Sequence, residues 1–148
     1  MARFKPGTWL LALLSGISMS GANAFEKTED GILLRFDGAA AGSTRLLQVT
    51  VCSDSIIRVT ATPDPVFSPR QSLTVEKTRL SAASWSVKEE GPVVTLSTSS
   101  LRIRVDTGTA AVSFFDKAGR PVLAERPQGR TFTAAEALGE PVWKVRQI

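Results

Sequence analysis

Acid–base chemistry in this 148-residue sequence falls to its carboxylates, because histidine is absent and Cys52 is the single cysteine. Ser-His-Asp and Cys-His pairs, histidine bases and histidine metal ligands are all excluded on that ground, and one thiol cannot build a thiolate cluster. No glycine-rich phosphate loop stands between a strand and a helix. The residue types therefore call for no metal and no cofactor. Two carboxylates about 5 to 9 Å apart could cleave a glycosidic bond, but the acids here sit where turns are expected. Asp54, Asp64, Asp106 and Asp116 fall in turn or loop sequence, and Glu89 and Glu90 precede Gly91. Aspartate is common in such places because it bonds nearby backbone N–H groups. No catalytic residue is assigned.

Flat aromatic rings offer a second chemistry, since sugar C–H faces pack on them. The candidates are Phe67, Trp85, Phe114, Phe115 and Trp143. Trp85 and Phe114 alternate with polar neighbours and are expected in the core. Phe115 follows Phe114 and so projects from the opposite face of its strand, exposed or covered by another domain, with cover by a domain the preferred reading. Phe115 and Trp143 are the binding candidates. Phe67 is expected to anchor its loop, and Cys52, at the end of "LLQVTVC", to be a small buried inert thiol.

These residues need strands to position them. From Gly31 onward the sequence is a succession of short β signals: "GILLRFDG", "STRLLQVTVC", "SDSIIRVTATPDP", "SWSVKEEG", "PVVTLSTSS", "SLRIRVDTG", "TAAVSFFDKAG" and "RPVLAE". Segments of five to nine residues separated by turn residues predict an all-β fold, an antiparallel sandwich or barrel. In "LRIRVD", Leu101, Ile103 and Val105 alternate with Arg102, Arg104 and Asp106, giving one dry and one wet face. "DTGT" and "DKAG" read as hairpin turns. Pro63, Pro65 and Pro69 bar a paired central strand from the segment that carries them. "TAAEALG", Thr133 to Gly139, has the spacing of a capping box and is expected to form one or two helical turns.

The opening "MARFKPG", the short apolar run "TWLLALLSGISM" and the small residues of "ANA" predict a signal peptide over residues 1–24, cleaved after Ala24. The run is broken by Gly16, Ser18, Ser20 and Gly21 before it reaches the roughly 20 residues of a membrane span. The mature protein is then exported, periplasmic or extracellular, without stable membrane insertion. Setting aside Arg3 and Lys5 leaves sixteen basic and fourteen acidic residues, a net charge of +2. The basic residues are dispersed, as with Arg58, Arg102, Arg104 and Lys117, which disfavours nucleic acid as a partner. Residues 25–148 are expected to form one β domain whose pattern is still strand-like at "PVWKVRQI", so that more of it is expected to follow.

The order of the segments is more specific than any one of them. "DSIIRVTATPDPVFSPRQSLTV", then "SWSVKEEGPVVTLSTSSLRIRVDTGTAAVSFFDKAGRPVLAE", then "PVWKVRQI" resembles the N-terminal domain of glycoside hydrolase family 31, the α-glucosidase and α-xylosidase family. Leu101, Ile103, Val105, Phe115, Asp116, Gly119, Val122, Leu123 and Glu125 fit its pattern. The resemblance implies a β-sandwich of the galactose-mutarotase-like type standing before a (β/α)8 barrel, whose two aspartates act on an oligosaccharide substrate by a retaining mechanism. It thus implies a partner, the C-terminal catalytic barrel of the same polypeptide, and an accessory domain that is not catalytic by itself. The alternative is a stand-alone secreted module that binds carbohydrate or protein.

Overall fold

The computed structural model of the protein describes residues 24–37, 44–70 and 83–148. The expected leader lies outside the described residues except for Ala24, and so does the "SL" part of the proline-rich segment. Eleven strands and no helix occur among the described residues. One sheet has the order β1-β2-β3-β4, formed by Phe25–Lys27, Gly31–Arg35, Leu46–Ser53 and Ile56–Thr62. The second has the order β5-β6-β7-β8-β9, formed by Ser86–Glu90, Val93–Ser97, Leu101–Asp106, Val112–Asp116 and Pro121–Ala124. β10 (Arg130–Ala137) and β11 (Glu140–Gln147) pair only with each other. Every pairing is antiparallel between sequence neighbours, as short connections favour.

Alternation along the strands decides which side chains meet. Ile32 pairs with Val49, Leu34 with Leu47, Val94 with Val105 and Leu96 with Ile103, and all eight are buried in one cluster. The dry face read from "LRIRVD" is Ile103 and Val105, each fully buried, with Leu101 partly so. Trp85 and Phe114 pack against this core as expected. Gly31 is required by close approach: a Cβ there would lie 1.9 Å from the Val49 carbonyl oxygen. Cys52 is buried and sits at an irregularity between Val51 and Ser53, without a register partner on β4.

The turns follow local chemistry. Asp106 Oδ1 accepts from Gly108 N at 3.0 Å and Thr109 N at 2.8 Å, closing β7 onto β8. Asp116 Oδ1 accepts from Arg120 N at 2.9 Å, and Gly119 takes a φ of 79° between β8 and β9. Residues 63–70 hold no strand, in keeping with their three prolines. One expectation fails: residues 133–137 are the last five residues of β10, and Leu138–Gly139 form the two-residue tip of the β10–β11 hairpin. Helix-forming residues are overridden there by eight cross-strand pairs with β11.

Candidate functional site: an apolar groove with a buried ion pair

The β10–β11 hairpin places three cross-strand pairs on one face. Arg130 lies opposite Gln147, Phe132 opposite Val145, and Ala134 opposite Trp143. The first two pairs face the edge of the sandwich and wall a groove of about 310 Å³, with Ile57, Val59 and Ala61 of β4 on one side and Val112, Phe114 and Leu123 on the other. Most of its lining is therefore aliphatic or aromatic.

Its polar corner is a closed network. Glu125 follows β9, and its side chain is 7% exposed. One carboxylate oxygen, Oε2, accepts from Val112 N at 2.9 Å, and both oxygens accept from Arg130 Nη2 at 2.5 and 2.6 Å. Gln147 Nε2 also donates to Glu125. The carboxylate thus ties the start of β8 to both strands of the hairpin. Charge-assisted bonds of this kind are the stronger ones, and burial makes their geometry matter more. Arg130 is 8% exposed, and its Nη1 finds no hydrogen-bond partner among the described residues.

The two ring candidates are not brought together. Phe115 lies on the outward face of β8, half-buried, with the Arg104 guanidinium 5.9 Å from its ring centre. It lines a second hollow of about 220 Å³ with Arg104, Asp106, Ser113 and Pro127. Trp143 lines neither hollow; its Nε1 donates to Asp64 Oδ2 at 2.9 Å, which pins the hairpin to the proline-rich segment. Exposed Arg70 and Glu140 approach to 3.7 Å across the same junction. Phe67 is half-buried in that segment.

The acids are occupied locally. Asp106 and Asp116 close turns, Asp64 holds Trp143, and Lys88 at 2.9 Å keeps the Glu90 carboxyl below its ordinary range. Glu89 Oε2 accepts from Ala24 N at 3.3 Å. No cluster of three metal-ligating side chains occurs among the described residues. Arg130 escaped the sequence reading because the helical expectation hid β10, and Gln147, in sequence that does read as a strand, then had no partner to set its face. The signal available was "RTF" set against "VRQ", where Arg130 and Phe132, like Val145 and Gln147, are spaced by two.

Comparison with known proteins gives this arrangement its relatives. The crystal structure of the GH31 alpha-xylosidase from Xanthomonas citri superimposes with a TM-score of 0.68 at 31% sequence identity, covering 82% of this chain and 13% of that one. The chain therefore spans about an eighth of the length of that relative. The model of the glycosyl hydrolase 31 N-terminal galactose mutarotase-like domain matches residues 46–144, from the first residue of β3 to within four residues of the C-terminus. That match takes in β3, β4, the whole second sheet, β10 and β11 as far as Lys144, and by it this chain belongs to the glycosyl hydrolase 31 N-terminal galactose mutarotase-like domain family.

Proposed function

We propose that the chain is the exported N-terminal accessory region of a retaining α-glycosidase acting on α-linked xylosides or glucosides, and that hydrolysis belongs to a barrel further along the same polypeptide. The observation that carries this reading is the disproportion in the structural match: 82% of this chain corresponds to 13% of an α-xylosidase. The chemistry of the chain agrees with a scaffold role, since its buried carboxylate is bonded on both oxygens and its turn acids hold backbone. Two carboxyl groups of the barrel would supply the nucleophile and the acid/base. Phe115, outward on β8 beneath Arg104, is then a ring for docking on that barrel.

The test compares the 148-residue chain with the polypeptide encoded when the reading frame is followed beyond codon 148. Both are assayed on p-nitrophenyl α-D-xylopyranoside and α-D-glucopyranoside. The long polypeptide should hydrolyse at least one of them and the short chain neither. A frame that closes at codon 148, or a long polypeptide inert towards α-glycosides, refutes the reading. Export is checked separately by the mass of the mature N-terminus, which should begin at Phe25.

A further inference from the structure

The groove has two properties that a finished core would lack. β4 is bonded to β3 on one side only and β9 to β8 on one side only, so two strand edges near the groove have no neighbour among the described residues. Unpaired edges beside apolar side chains are templates for another strand. In the wall itself, Arg130 carries a buried nitrogen, Nη1, whose N–H groups find no acceptor among the described residues. Buried donors are almost always satisfied, and an orphan on a guanidinium asks for an acceptor.

We infer that the groove receives an extended apolar segment from the remainder of the same polypeptide, which pairs with the free edge of β4, seats alternate side chains against Ile57, Val59 and Phe114, and presents a carbonyl or carboxylate oxygen to Arg130 Nη1. A saccharide fits poorly, because the other polar groups of the wall, Glu125, Gln147 and Arg130 Nη2, are already bonded to one another. A strand fits, because it brings apolar side chains and unsatisfied backbone oxygens together. The inference rests on the reading of the chain as part of a longer enzyme, of whose α-xylosidase relative it spans 13%.

The experiment uses thiol labelling, with Cys52→Ala removing the native thiol. Val59→Cys places a thiol in the groove, and Glu29→Cys places a control in the exposed turn between β1 and β2. Each is treated with a maleimide in the 148-residue chain and in the long polypeptide. The groove thiol should react at least tenfold more slowly in the long polypeptide, and the control equally in both. Arg130→Lys keeps a charge for Glu125 but removes the second guanidinium nitrogen; in the long polypeptide it should forfeit at least threefold of that protection while circular dichroism stays unchanged. Equal labelling in both lengths overturns the inference. Protection of the short chain that rises with its concentration also overturns it, by assigning the groove to a second copy, and protection indifferent to Arg130→Lys overturns the anchor. An active long enzyme with an open groove removes this inference alone, whereas a frame closing at codon 148 removes the enzyme reading and this occupant together.

Discussion

Breaking the Glu125–Arg130 pair from one side leaves a charge stranded beside Val112 and Phe132. Glu125→Leu should therefore destabilise the fold by about 3–5 kcal/mol, whereas the double replacement by leucine should cost less than the two single changes summed. Urea titrations of the four proteins decide this, and strict additivity would refute the coupling. The turn acid Asp116 makes a prediction in pH. Arg120, first through its backbone N–H and then through its side chain, holds the Asp116 carboxyl below the ordinary carboxylate range. The folded state thus favours the ionised form, so its contribution is present above about pH 3.9 and is lost as pH falls through the lowered native value. Asp116→Asn should destabilise the protein at pH 7, and the gap to wild type should narrow as the pH falls through the acid range; a gap that widens in acid would contradict this account. Ile103, fully buried, and Arg102, exposed, are chain neighbours on opposite faces of β7. Ile103→Asp should cost more than about 4 kcal/mol and Arg102→Asp within about 0.5 kcal/mol, a contrast read from denaturation midpoints.

Strands were legible in the sequence wherever one face is wet. β7 alternates by charge against aliphatics, and its hairpins end in aspartate and glycine, so period and punctuation agree. β11 was legible in "PVWKVRQI" but β10 was not, because "TAAEALG" is made mostly of good helix formers and its strand state comes from its partner. The same error concealed Arg130, since a residue's face can be read only once its period is known. Leu138 sits at the hairpin tip with a φ of 53° and is fully exposed. A leucine in the left-handed region is disfavoured, and asparagine before glycine suits a two-residue hairpin turn. Leu138→Asn should raise stability by about 1 kcal/mol, seen as a higher urea midpoint with an unchanged slope.

The whole molecule is a paired sandwich core carrying a hairpin that bonds to neither sheet as a strand. Every residue of β11 is exposed, the large apolar side chains Val142, Trp143 and Val145 among them. Elements held this way open at lower free energy than the body they lean on. The aromatic inventory turns this hierarchy into something visible. Tyrosine is absent, and in the mature chain proposed above, which lacks Trp9, two indoles remain. Trp85 packs against the core under the Lys27 ammonium, 4.7 Å from its ring centre, while Trp143 is tethered to Asp64 at the hairpin. The protein thus has one lamp on its body and one on its limb: emission from Trp143 should change at lower urea than emission from Trp85, and Trp143→Phe should leave a single later transition.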